Sequence, residues 1–373
     1  MTNIAQDAPP PTAVQTEYQT LHEFIRAAKQ KLDPNLWDYL VGGTETETTL
    51  VRNRQAIDCL AFRPRVLRDV LEIDPSGDFF GRRTRLPILL APIGGLDSLA
   101  QDGNVRTGRA AGAFGVPFML SSVTQTGMEA VAASSSAPKI FQLYTRGDEA
   151  FIDDHIERAV ASGYDAFCIT VDSAIYSRRE RDIARRYAKP WRGKTPGMRY
   201  QAAFNWDAVK RIRDKYKTIK LFLKGIGTGE DAAIACELGI DVVYVSNHGG
   251  RQLDHCLGAI DVLPEVAAAV AGRARVMVDG GFSRGTDIIK AIALGADTVG
   301  IGRLYCYGLA AAGEEGIVRV LELLELEVIE CLGLLGVNNV AGVKSSHVCP
   351  GRPVYEPHVH SAFPLLRLPR EEY

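Results

Sequence analysis

Eight short apolar runs, set about one helix apart, constrain this 373-residue chain more than any other feature. They occupy residues 86–93, 117–122, 139–144, 166–172, 220–226, 242–248, 275–281 and 298–303. Their interiors (ILLAPI, FCITV, LFLKGI, VVYVSN, VMVDG) are nearly continuous rather than alternating. Strands covered on both faces read that way, as in parallel sheets. Successive starts lie 31, 22, 27, 54, 22, 33 and 23 residues apart, with amphipathic stretches between. Residues 149–163 put Phe151, Ile152, Ile156, Ala159 and Val160 on one side, and residues 228–239 and 283–295 open on a Thr or Ser cap and stop at Gly. Eight strands in seven near-regular βα intervals predict an α/β fold, a closed (β/α)8 TIM barrel rather than an open doubly wound sheet.

The longest interval holds a polar, basic insertion after the fourth strand, at residues 173–219. A connection of that length in a compact domain is usually functional, and on the catalytic face of a barrel it is a candidate lid. The barrel with its lid is expected over residues 86–345. Residues 21–85 read as an N-terminal helical extension packed on it, with helices at 21–32, 36–41 and 45–60. Residues 1–20 read as a flexible arm, 314–336 as a long terminal helix, and 346–373, with five prolines, as a tail.

Composition removes several function classes. Lys+Arg is 43 against 45 Asp+Glu, a net charge of −2, without the basic excess of a nucleic-acid binder. No run of about 20 apolar residues exists, so no membrane span is expected. The first 20 residues lack a basic and an apolar signal region, and a cytosolic location is expected. Seven scattered cysteines, never spaced C-x-x-C, read as small buried hydrophobes rather than a disulfide framework or zinc ribbon. His358 and His360 have no third ligand at useful spacing, so no metal is expected.

A barrel builds its active site at the C-terminal ends of its strands. Polar residues stand there in run after run: Ser121, Gln142, Tyr144, Thr170, Asp172, Lys224, Ser246, His248 and Asp279. The last two ends carry Gly280 and Gly281 before Arg284, then Gly302-Arg303, which suits a phosphate-bearing ligand at the usual phosphate site of the fold. His248 is a candidate base, with Asp172 to orient it and Arg251 to supply a cation for an acidic substrate. Lys224 fits either a Schiff base or a fixed charge beside a cofactor, and position alone does not choose. The basic run 178–186 reads as a solvated loop face, with Arg179 nearest the strand end.

The segment Val245-Ser246-Asn247-His248-Gly249-Gly250-Arg251-Gln252-Leu253-Asp254 resembles the signature of the FMN-dependent L-2-hydroxyacid oxidases and dehydrogenases (glycolate oxidase, lactate oxidase, mandelate dehydrogenase). The likeness runs from about Trp37 to Gly336 and includes Phe62-Arg63-Pro64-Arg65, Phe141-Gln142-Leu143-Tyr144, Thr170-Val171-Asp172 and Asp279-Gly280-Gly281. It implies FMN as cofactor, a small 2-hydroxyacid as substrate, and O2 or another electron acceptor. It also implies a homo-oligomer, commonly a tetramer. By resemblance His248 is the base, Asp172 stabilises the imidazolium, Tyr144 bonds the hydroxyl, and Tyr39, Arg179 and Arg251 hold the carboxylate. Ser121, Gln142, Thr170 and Ser246 would bind the flavin and ribityl. Pro92, Ile93 and Gly94 would meet its reactive nitrogen, and Lys224 would act as a fixed charge at its edge. Asp279, Gly280, Gly281, Phe282, Ser283, Gly302 and Arg303 would hold the phosphate. Three positions depart from the family pattern. Ser283 replaces the first of two arginines, leaving Arg284 and Arg303 as the cations. Gly94 stands where alanine is usual and matches the dehydrogenase-like variant. Val123 replaces a bulkier aromatic, which would admit a larger, aryl or branched, side chain. The alternatives to this family are a phosphate-binding isomerase or aldolase using Lys224, and a non-catalytic barrel that binds a phosphate ligand.

Overall fold

The computed structural model describes residues 10–189 and 197–367. Residues 1–9 of the expected arm, 190–196 of the lid and 368–373 of the tail lie outside these. All eight runs form strands: β1 Ile88–Leu90, β2 Phe118–Ser121, β3 Lys139–Leu143, β4 Ala166–Thr170, β5 Lys220–Ile226, β6 Val242–Val245, β7 Arg275–Val278 and β8 Thr298–Ile301. They pair in parallel and in chain order, and β8 closes on β1.

Alternation along each strand sorts the core into two parts. Leu89, Met119, Ile140, Cys168, Phe222, Tyr244 and Met277 fill the barrel axis. Their neighbours Leu90, Leu120, Phe141, Ile169, Leu223, Val245 and Ile301 face the surrounding helices. Both faces are buried, which is why the runs read as continuous. A hairpin, Gly77–Phe79 with Arg82–Thr84, brings Phe79 and Phe80 to within 6.5 and 6.0 Å of the Phe222 ring and plugs the N-terminal end. Gly300 is required by this packing, because a Cβ there would lie 2.1 Å from the Tyr244 hydroxyl.

The extension forms α1 Ala13–Glu17, α2 Leu21–Lys31, α3 Pro34–Val41 and α4 Thr48–Asp58. The arm differs from expectation from residue 10 onward. It is docked rather than free: Gln15 bonds Glu322, and Tyr18 is buried and stacks on Phe24 at 4.2 Å. The tail is also docked, with Val348–Pro350 pairing against Leu60–Phe62 and Phe363 fully buried. The terminal helix follows a break at Ala312 and Gly313, whose backbone is not helical, and ends at Leu335, close to the expected 314–336; a separate helical stretch from Arg303 leads into that break. The expected Ser283 cap is not used. The helix is Gly285–Ala293, and the Asp287 carboxylate accepts from the Ser283 and Arg284 amides at 2.9 and 3.0 Å, a stronger acceptor than a hydroxyl. Three cysteines are buried and four only half-buried. Among the described residues no helix is long and apolar enough to cross a membrane.

Candidate active site

Two residues beyond the axial core, on the same inward parity, the strands carry Ser121, Gln142, Thr170, Lys224, Ser246 and Asp279. All six are buried. Lys224 Nζ lies 2.7 Å from Ser246 Oγ and 3.1 Å from an Asp279 oxygen, while the Ser246 hydroxyl donates to Asp279 at 2.6 Å. Burial opposes the Lys224 charge, but Asp279 and Asp172 outweigh it and hold the ammonium above its ordinary range. A Schiff-base lysine needs the opposite shift, so the fixed-charge reading is the one the geometry supports. On the adjoining strands both amide atoms of Gln142 and the Thr170 hydroxyl are buried with no partner among the described residues. Buried orphans are rare in native folds, and they mark where the polar atoms of a ligand belong.

His248 follows β6 with φ +59, a left-handed conformation costly for a residue with a Cβ. Its amide donates to Ser246 Oγ at 3.0 Å. Nδ1 lies 3.0 and 3.2 Å from the two Asp172 oxygens, and Nε2 lies 3.0 Å from the Tyr144 hydroxyl. An ionised carboxylate only accepts, so Nδ1 carries the proton and Nε2 presents the lone pair. Burial lowers the His248 pKa against the pull of Asp172. Burial would raise Asp172, but His248 and Lys224 hold its carboxyl below the usual range. The resting pair is therefore neutral imidazole and carboxylate. Gly225, at φ +112, lets Asp172 approach; a Cβ would lie 2.6 Å from the Asp172 Cβ.

Arg251 and Arg303 both reach the C-terminal end of α3. Arg251 Nη1 donates to Tyr39 O at 2.6 Å and Gly42 O at 3.0 Å, and Arg303 donates to Leu40 O and Gly42 O at 2.9 Å each. Cations at that end favour the helix dipole and seat Tyr39, whose hydroxyl donates to Gly94 O at 3.1 Å. Arg251 Nη2 and Arg179 Nε stay buried and unpartnered among the described residues. Burial first, then the Arg179 charge, pushes the Arg251 guanidinium down to about 9.

These groups share a cavity of about 370 Å3, in the usual range of roughly 300–1,000 Å3 for small-molecule sites. Of the expected residues, His248, Tyr144, Tyr39, Arg179, Arg251, Thr170, Lys224, residues 92–94, residues 279–283, Gly302 and Arg303 line it. Asp172, Ser121, Gln142 and Ser246 stand behind that wall. Gly280 (φ +114) and Gly281 (φ +89) pack on Asn53, where a Cβ would lie 3.0 and 3.2 Å from it, and both line the cavity with their backbone. Arg284 is a correction: it turns away to Glu327 at 2.5 Å and does not line the cavity. The basic run is not simply solvated either, since Arg181 and Arg185 pair with Glu47 and Asp38 of the extension. Sequence reasoning missed Arg146, Ser173, Tyr176 and Gln201, and also Tyr307 and Val359, which close the cavity from the helical stretch after Arg303 and the tail. The polarity at 173, 176 and 201 was visible as part of the lid; nothing local marked Val359.

A family profile described as FMN-dependent dehydrogenase matches residues 28–350. The chain belongs to this family. An L-lactate dehydrogenase of Caulobacter vibrioides is 37% identical over 367 residues, covering 87% of this chain and 96% of the relative. A 4-hydroxymandelate oxidase of Amycolatopsis orientalis is 37% identical over 348 residues, covering 88% and 97%. A crystal structure of mandelate oxidase with benzoyl-formic acid superposes with a TM-score of 0.84 at 36% identity, over 91% of this chain and 100% of that one. The protein is thus an FMN-dependent 2-hydroxyacid oxidoreductase acting on a CH–OH group, with a TIM-barrel fold.

Proposed function

We propose that this enzyme oxidises an L-2-hydroxyacid to the 2-oxoacid with His248 as general base. The observation that carries the reading is the neutral His248 imidazole, braced at 3.0 Å by Asp172, with Nε2 beside Tyr144. Arg179 and Arg251 share its cavity.

The residues present fit the cofactor. The orphaned Gln142 amide and Thr170 hydroxyl suit the hydrogen-bonding edge of an isoalloxazine, with Ser121 and Ser246 behind them. Lys224 offers a fixed cation, and the backbone of residues 280–283 and 302–303 a phosphate cradle at the start of the helical stretch from Arg303. Bound there, FMN supplies the two-electron acceptor for the hydrogen on C2. The chain does the rest. Arg251, Arg179 and Tyr39 hold the α-carboxylate and fix which face of C2 is presented. Nε2 takes the hydroxyl proton, and Asp172 then faces an imidazolium. Tyr144, which occupies Nε2 in the free site, transfers its hydrogen bond to the substrate oxygen. Ser173, Tyr176 and Gln201 of the lid limit water.

In the test, His248→Ala keeps its yellow flavin but loses anaerobic bleaching by L-2-hydroxyacids, by a factor on the order of 10²–10⁴. Near-normal bleaching sinks the assignment. Admitting air after bleaching separates O2 from other acceptors by the speed of recolouring.

A further inference from the structure

We infer that this site takes 2-hydroxyacids carrying a second carboxylate, anchored by Arg146; the inference rests on the substrate reading above. Arg146 follows β3 two residues after Tyr144 and lines the same cavity. Its guanidinium lies 5.1 Å from the Tyr144 ring centroid, and that ring lies 6.1 Å from the His248 ring. Its Nε is buried without a partner among the described residues.

The carboxylates that surrounding elements bring near the cavity are already committed. Asp172 serves His248, Asp279 serves Lys224, Asp182 serves Lys189, and Asp38 and Glu47 serve Arg181 and Arg185. Arg146, Arg179 and Arg251 are left facing one cavity, each with a buried nitrogen unpartnered among the described residues. A single α-carboxylate answers Arg251 and Arg179. Arg146 stands apart from that pair on the Tyr144 side of the cavity, over the Tyr144 ring, and is left for a second anionic group.

Gln201 of the lid lines the same cavity, its Nε2 donating to Ser173 Oγ at 2.7 Å. The lid is pressed onto the Arg146 turn. Gly197, at φ +109, sits so close to the Arg146 carbonyl that a Cβ would lie 1.9 Å from it. A planar guanidinium held over a ring at this point is preorganised for a carboxylate fork.

The test compares L-2-hydroxyglutarate with L-2-hydroxypentanoate, which share a carbon skeleton and differ in the distal carboxylate. With the FMN-loaded enzyme, anaerobic bleaching should favour the diacid by roughly tenfold or more in second-order rate constant, the size of one charge-assisted bond. The diacid-to-monoacid ratio should fall toward one in Arg146→Met and recover in part in Arg146→Lys. Calorimetric binding of 2-oxoglutarate against 2-oxopentanoate should show the same ordering without turnover. Equal or better use of the monoacid, a preference for L-mandelate, or an unchanged ratio in Arg146→Met overturns the inference while leaving 2-hydroxyacid oxidation intact. Failure of every L-2-hydroxyacid to bleach the flavin overturns both.

Discussion

Exchanging Asp172 for Asn removes one charge and almost no volume, so it isolates what the carboxylate does for His248. The oxygen lies 3.0 Å from Nδ1. At an effective dielectric of about 20, unit charges at that spacing attract by roughly 5 kcal/mol. Solvation lost by both groups offsets much of this, and a carboxylate neighbour typically shifts a partner by about 1–3 pKa units, or roughly 1.4–4 kcal/mol. The attraction exists only once the imidazole is charged. It therefore belongs to the transition state, and its loss lowers the bleaching rate more than it weakens substrate binding, by about 10- to 1,000-fold. The pH response has a definite sign. Burial lowers the His248 pKa and Asp172 raises it. Without the carboxylate the imidazole titrates at lower pH still, so the acid limb of the rate profile moves down while the plateau falls. Anaerobic stopped-flow bleaching from about pH 5 to 9 reads both. A plateau within about threefold of the parent, or an acid limb moving up, would refute the assignment of Asp172 as the group that stabilises the charged base.

Three further outcomes follow from the same geometry. Arg251→Lys should raise KM by about 10- to 100-fold with a smaller effect on kcat, because one ammonium cannot hold the Tyr39 and Gly42 carbonyls and a carboxylate together; steady-state kinetics check it. Gly300→Ala should lower Tm by several degrees and weaken flavin retention, because the new Cβ would lie 2.1 Å from the Tyr244 hydroxyl and overpacking costs about 1–3 kcal/mol; an unchanged Tm refutes it. Burial, then Arg284 and Arg26, holds His22 down to about 4. The folded chain thus binds that proton less readily than the unfolded one, and stability is lost as pH falls from about 6.5 toward 4, by about 3 kcal/mol in full. His22→Phe should flatten that slope in Tm measured between pH 7.5 and 4.5.

The barrel was legible because its strands are buried on both faces, which stamps each one with a continuous apolar run. The floor of the site was legible for a related reason. Polar residues inside an apolar run, such as Gln142 or Lys224, have no solvent to face, so their presence signals a ligand. Contacts made by chain segments distant in sequence were not legible. Arg284 stands in a glycine-rich motif, yet Glu327 on the terminal helix draws it away from the cradle. Ser283 looks like a helix cap, but Asp287 outcompetes it. Val359 reaches the cavity because the tail is docked there, with Tyr307 and His360 paired at 3.0 Å beside it. Phe79 and Phe80 plug the barrel from a hairpin with no hydrophobic period of its own.

The extension and the barrel share one set of cations, and residues 21–85 thereby form part of the cavity wall. Arg251 and Arg303 spend donors on the last carbonyls of α3, which fixes Tyr39 over the cavity. Asn53 of α4 exchanges amide bonds with Asn247 at 2.9 and 2.8 Å, one residue before His248. Arg54 donates to the Gly281 carbonyl at 3.1 Å while paired with Asp287. The helix that packs on Gly280 and Gly281 is thus also tied to the loop that holds His248 in its left-handed conformation. Loosening α4 should therefore disturb flavin retention and His248 geometry together, whereas a change confined to the lid should leave the flavin seated and alter only which acid it serves.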